Sequence, residues 1–208
     1  MAKHPSKWIL GAAIETAEGF YVAGVESSPR RIESDGEPLL GRIAAGSVNL
    51  SLSLELYLKS LFMGLEIKPP HGHRLDSLYN ALPERVREVI RRGYESKQIT
   101  PPEEHDFVLR RVLASTDPAR NLERAEVQID LNPDIDTLLE THCEAFVRWR
   151  YVHEIDEPLE IDYFYDFRSI LSLLESVRAV ARHLAEQTNG LITPTEPPAV
   201  EPAAASRP

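Results

Sequence analysis

The sequence predicts an all-α protein, an antiparallel helical bundle followed by a disordered C-terminal tail. Three observations predict it. Leucines recur at helical spacing through residues 50–65, a second apolar series keeps the 3.6-residue period from Tyr163 to Leu184, and the C-terminus is rich in proline with no such period. With 208 residues, 42% of them hydrophobic and 27% charged, the chain has material for one folded domain, residues 1–188, and a tail, residues 189–208.

Residues 8–25 read as a first helix, weakened by Gly11 and Gly19. The next stretch is ambiguous on its face, because Leu50, Leu52, Leu54, Leu56 and Leu58 alternate with other residues as in a half-buried strand. Composition decides for helix: residues 50–62 contain no Val, Ile or Thr and are built from Leu, Ser, Glu and Lys with one Tyr and one Phe. At 100° per residue Leu50, Leu54, Leu58, Leu61 and Leu65 form one stripe, and Leu52, Leu56 and Met63 a second. Ser51, Glu55 and Lys59 form a polar stripe, so the sequence predicts a central helix buried on two sides. Two shorter helices follow, Leu75–Leu82 and Pro83–Lys97, since Pro83 suits a helix start. Residues 100–133 read as an irregular excursion in which His105–Ser115 forms a helix. Pro133 and Asp134 open another helix whose Leu139, Cys143 and Phe146 share the inward face, and Pro158 closes the connection after it. Tyr163, Phe167, Ile170, Leu174, Val177, Ala181 and Leu184 make a long core helix, capped at Asn189-Gly190. The last 20 residues hold five of the sixteen prolines and predict no packed structure.

Composition removes several function classes. Lys and Arg total 23 against 33 Asp and Glu, a formal charge of −10, which disfavours a polybasic nucleic-acid wrapper or membrane-surface binder, though not RNA cleavage at a local basic site. Cys143 is the single cysteine, so no intrachain disulfide and no thiolate zinc cluster can form, and a reducing, cytoplasmic setting is expected. No run reaches the roughly 18 apolar residues of a membrane span, and the N-terminus lacks a signal-peptide pattern, so no membrane partner is expected. A glycine-rich phosphate loop, a Gly-x-Ser-x-Gly elbow and a dinucleotide fingerprint are all missing, and no cofactor is expected. His71-Gly72-His73 has no matching donors at metal-site spacing and is read as a turn, so no metal is expected either.

Asn49, Glu55 and Lys59 on a leucine-rich helix, followed by His73-Arg74-Leu75 and Leu78, resemble the HEPN domains of bacteria and archaea. A second block, Ala145-Phe146-Val147-Arg148-Trp149-Arg150-Tyr151 with Glu154, is similar to the downstream block of that group, and the likeness spans about residues 40–185. The resemblance implies a HEPN-type antiparallel bundle, commonly a homodimer. It also implies a metal-independent endoribonuclease of a toxin, defence or RNA-processing system, because active members carry an Arg, four to six residues, then a His. Arg148 and His153, with four between them, fit that pattern as the catalytic pair. An imidazole can move the proton of a ribose 2′-hydroxyl or of a leaving oxygen, and a guanidinium offers several donors to the phosphate charge that builds up. RNA or a nucleotide, or else a protein partner, are the ligands implied.

Against the pair stand helix geometry and charge. Five positions put Arg148 and His153 about 140° apart on a regular helix. The segment from Glu154 to Asp166 holds six acidic residues and no Lys or Arg, which repels a phosphate backbone. Arg148 could equally pair in solvent with Glu144. Arg150 continues the inward stripe, so it is expected to point inward and to need a carboxylate such as Glu55 or Glu154. The alternative function is therefore a non-catalytic HEPN-like binding or assembly module, in which Asn49, Glu55, Lys59, His73, Arg150 and Glu154 form a supporting polar network. Arg85, Arg87, Arg91 and Arg92, interleaved with Glu84 and Glu88, read as a solvated helix face.

Overall fold

The leucine- and serine-rich segment within residues 39–64 is the packing centre of the described helices. The computed structural model describes residues 7–28, 39–98, 110–114, 133–150 and 161–190. In chain order the elements are α1 (Lys7–Ser27), α2 (Leu39–Gly64), α3 (Leu75–Asn80), α4 (Glu84–Gln98), β1 (Arg110–Ala114), α5 (Ile135–His142), α6 (Ala145–Arg150), β2 (Ile161–Tyr165) and α7 (Phe167–Gly190). The fold is predominantly helical. Among the described helices none is long and apolar enough to cross a membrane.

α2 is the centre, touching α1, α3, α6 and α7. Leu50, Leu54, Leu58 and Leu61 are all at most 1% exposed, and burying each contributes roughly 1.5–3 kcal/mol. The second buried side of α2 is not the Leu52–Leu56–Met63 stripe, which is only half-buried; it is the polar stripe, where Ser51 and Glu55 are buried. Serine makes this feasible because it is small and its hydroxyl finds hydrogen-bond partners on neighbouring elements. Ser53 donates to the Ala17 carbonyl at 2.8 Å, and Ser51 Oγ lies 3.0 Å from the Tyr165 hydroxyl.

α1 lies antiparallel to α2. Ser28 sits beside Gly46, Leu50 beside Gly24 and Leu10 beside Gly64. α7, however, runs in the same direction as α2, with Phe167 against Gly46 and Leu184 against Gly64. The bundle is therefore not antiparallel throughout. α4 packs on α7, and Lys97 reaches Glu175 at 2.8 Å.

Local chemistry sets the helix starts. The Pro83 carbonyl accepts from the Val86 and Arg87 N–H groups, opening α4. Asp134 caps α5, its side chain accepting from Thr137 N at 2.7 Å. Asp166 caps α7, accepting from Ser169 N at 2.9 Å. On α4 the arginines lie against its own glutamates: Arg87 on Glu84, and Arg91 and Arg92 on Glu88 at 2.6 and 2.9 Å.

Three expectations are corrected. The segment around residues 110–114 is a strand rather than a helix, paired antiparallel to β2 with Arg110 opposite Tyr165 and Ala114 opposite Ile161. Tyr163 consequently belongs to β2, and the long helix begins only at Phe167. The run Ile161-Asp-Tyr-Phe-Tyr165 alternates β-formers with period two, and the four-residue step from Tyr163 to Phe167 satisfies both periods by coincidence. The helix opened by Pro133 and Asp134 breaks at Cys143-Glu144, because the Cys143 carbonyl is taken by Leu75 N at 3.2 Å and Arg74 reaches Glu144 at 3.6 Å. The break turns His142 inward, while Cys143 and Phe146 are only partly buried. The tail beyond residue 190 and most of the excursion at 100–133 lie outside the described residues.

Candidate functional site

The two sequence blocks, the first ending at Leu78 and the second starting at Ala145, meet where α6 lies on α2. At their centre is Glu55, whose side chain is only 3% exposed. Its Oε1 accepts from Lys59 Nζ at 2.6 Å, one turn along α2, and stands 2.8 Å from His73 Nδ1 on the loop before α3. Its Oε2 is buried with no hydrogen-bond partner. A buried carboxylate without compensation is costly, and here an ammonium and an imidazole nitrogen converge on a single oxygen.

His73 presents the rest of its ring to solvent, its side chain being 60% exposed. Its centroid lies 6.1 Å from that of Phe146, and the Arg150 guanidinium carbon sits 5.9 Å from the same Phe146 ring. Phe146 thus links the imidazole of one block to the guanidinium of the other. The loop is held in place next to it by Arg74, which donates from Nη2 to Asp76 at 2.8 Å.

Of the residues singled out from sequence, Glu55, Lys59, His73 and Arg150 are gathered on this face. Arg150 is exposed, so the expectation that it points inward is corrected. The reason is the break at Cys143-Glu144, which rotates α6 relative to the stripe running through Leu139. Asn49 is half-buried on α2, and six positions turn it about 120° away from Glu55. The backbone of Arg148 belongs to α6. Its side chain, His153 and Glu154 lie outside what the structure describes. His71 is exposed, and among the described residues no group of three or more His, Cys, Asp or Glu is placed to hold a metal ion.

Two further polar nodes were not singled out from the sequence. In the first, Glu18 on α1 takes Arg178 of α7 through both nitrogens of its fork, with Arg178 Nε at 2.8 Å, and also accepts from the Tyr57 hydroxyl of α2. The Arg178 hydrogen bonds hold the Glu18 carboxyl below its ordinary range. This node ties three helices together.

The second node is buried. His142 Nδ1 lies 2.8 Å from the Leu138 carbonyl and Nε2 accepts from Asp166 N at 3.0 Å, so the ring is neutral with its proton on Nδ1. Its edge meets Tyr165 at 5.2 Å between centroids. Burial pushes the His142 pKa down to about 4 and raises that of Asp166 beside it. Nothing in the sequence marked this histidine except its place one turn after Leu138.

No protein-family model matches the chain, and neither the curated proteins nor the solved structures include a match.

Proposed function

We propose that the chain is a HEPN-like helical protein that cleaves RNA without a metal ion, with His153 as the acid/base group and Arg148 as the phosphate stabiliser. The observation that supports this reading is the meeting of the two blocks: His73, Glu55 and Lys59 of the first lie against Phe146 and Arg150 of the second. α6 carries Arg148, and the chain passes from its described end at Arg150 to His153 three residues later. The reaction is an intramolecular displacement. The 2′-oxygen, relieved of its proton, attacks the adjacent phosphorus, the bond to the 5′-oxygen breaks, and that oxygen leaves with a proton as a 5′-hydroxyl, giving a 2′,3′-cyclic phosphate. Guanidinium donors stabilise the charge on the phosphoryl oxygens. In a homodimer two copies of the pair would face one another across a two-fold axis.

A second reading, a non-catalytic binding or assembly module, is favoured by one specific observation. Glu55 lies against both the Lys59 ammonium and the His73 ring, so its carboxylate offsets the lysine charge and leaves less positive potential for a phosphate backbone than the residue types suggest. One experiment separates the readings: single-stranded RNA incubated with the purified protein in excess chelator. Cleavage to cyclic-phosphate ends, abolished in His153→Ala and reduced about a hundredfold or more in Arg148→Ala, supports the nuclease. Intact RNA with the wild-type protein, verified folded by circular dichroism and sized by light scattering, leaves the binding module.

A further inference from the structure

We infer that the cleft between α4 and the start of α5 is a docking site for an arginine side chain of a basic partner peptide. The inference goes beyond the RNA-cleaving reading and does not depend on it.

The cleft encloses about 310 Å³. Arg91, Tyr94, Glu95 and Gln98 of α4 line one wall, and residues 133–136 line the other. Its floor is apolar, since Tyr94 and Ile135 are 2% and 4% exposed and Pro133 is buried. The Tyr94 hydroxyl donates to the Pro133 carbonyl at 2.6 Å. That bond joins the two walls, so the cleft is built into the fold and needs no ligand to form it.

The charge around the cleft selects the occupant. Arg91, which lines it, is already engaged, with Nη1 2.6 Å from Glu88. Asp134 is spent as the α5 cap, and the Thr137 N–H holds its carboxyl below the ordinary range. Glu95 and Asp136 are different. Both are exposed, they stand on the two walls, and neither side chain has an ion-pair partner among the described residues. A cation seated between two uncompensated carboxylates relieves their repulsion, whereas a phosphate or carboxylate ligand would add to it.

Gln98 points the same way independently. It lines the cleft, and both polar atoms of its amide are buried without a hydrogen-bond partner. Buried polar groups are rarely left unsatisfied, and the amide oxygen is an acceptor. Two anionic acceptors and one neutral one call for a group that donates several hydrogen bonds and accepts none. A guanidinium carries five N–H donors in one plane, and the methylene stem behind it suits the apolar floor. A lysine ammonium gathers its three donors at one point and spans the walls less well. The formal charge of −10 draws a basic peptide toward the protein from a distance.

The probe is a fluorescein-labelled peptide of alternating arginine and alanine, with its lysine counterpart, titrated into the full chain by fluorescence anisotropy. The arginine peptide should bind more tightly than the lysine one. Glu95→Gln and Asp136→Asn, each verified folded by circular dichroism, should weaken it about tenfold. Glu186→Gln removes the same charge from an exposed position on α7 and should leave the affinity unchanged within about twofold. In ¹H–¹⁵N spectra the Gln98 side-chain amide should shift as the peptide is added. An arginine peptide that does not bind, a Gln98 amide that stays in place, or a loss in Glu186→Gln equal to that of the cleft variants overturns the proposal. Equal affinity for the lysine peptide overturns the assignment to a guanidinium. Self-association of the peptide-free protein in light scattering that both cleft substitutions abolish makes a second copy of this chain the occupant and overturns the peptide.

Discussion

Acidification should destabilise this protein through His142, and the size of the effect follows from its burial. The ring is 1% exposed, bonded on both nitrogens within the fold, and its pKa lies near 4 against 6.5 for a free histidine. Because the folded value is depressed, the unfolded chain binds the proton more readily between pH 6.5 and 4. Stability is therefore complete above the unfolded value and falls as pH drops through that window. The full difference is about 3 kcal/mol, of which about 2 kcal/mol is already lost at pH 5. For a chain of this size that is a fall in Tm of roughly 4–8 °C. Shifted carboxylates contribute as well, Glu18 and Asp166 among them. Glu18, held low by Arg178, adds a loss that begins only nearer its own ordinary range. Asp166, raised by burial, acts in the opposite sense, since its protonation on acidification relieves a buried charge.

The assay is urea denaturation from pH 8 to pH 4.5 for wild type and His142→Asn, whose amide can still donate to the Leu138 carbonyl but does not titrate. The variant should start lower, because Asp166 N loses its acceptor and an unsatisfied buried donor costs about 1–3 kcal/mol. Its curve should then be flatter than that of wild type between pH 7 and 5. Two curves that stay parallel through that interval would refute the reasoning, since the titration of His142 would then contribute nothing.

The other predictions concern packing and depth. At Gly46 an added β-carbon would stand 2.6 Å from Ser28 Oγ, 3.0 Å from Phe167 Cε1 and 3.1 Å from Ser28 Cα, so Gly46→Ala should destabilise by about 1–3 kcal/mol despite alanine's better helix propensity. Gly11, with open space around its Cα, is the control: Gly11→Ala should stabilise by up to about 1 kcal/mol, and equal signs for the two in urea denaturation would contradict the packing described. Arg150→Ala should change stability by no more than about 1 kcal/mol, because an exposed cation–π contact contributes little; a loss of about 3–5 kcal/mol would return Arg150 to the interior.

The helices that could be read from sequence are those whose own composition decides them. α2 has helix-forming residues throughout a stretch whose alternation suggests a strand, and α4 carries glutamate and arginine at spacings that close into its own ion pairs. What escaped depends on distant partners. β1 and β2 gain their hydrogen bonds only from each other, across about fifty residues of chain, so neither segment alone announces the pairing. The break between α5 and α6 is likewise made by Leu75 and Arg74, roughly seventy residues upstream, and no local signal at Cys143-Glu144 replaces them.

At the candidate site the sequence marks residue types and not depth, and depth changes the physics. Read as a surface pair, Glu55 and Lys59 are worth roughly 0.2–0.5 kcal/mol. With Glu55 3% exposed, the same pair becomes part of the compensation that a buried carboxylate requires, and His73, eighteen residues further on, becomes its other half. The formal charge of −10 misleads for the same reason. It sums over the whole chain, whereas a phosphate approaching α6 would respond first to the groups within a Debye length of about 10 Å. There the Glu55 carboxylate is shared by the Lys59 ammonium and the His73 ring, and Arg150 is exposed beside Phe146. Whether this face attracts or repels RNA is thus decided by a balance of a few charges placed by tertiary packing, and the salt dependence of RNA binding measures that balance.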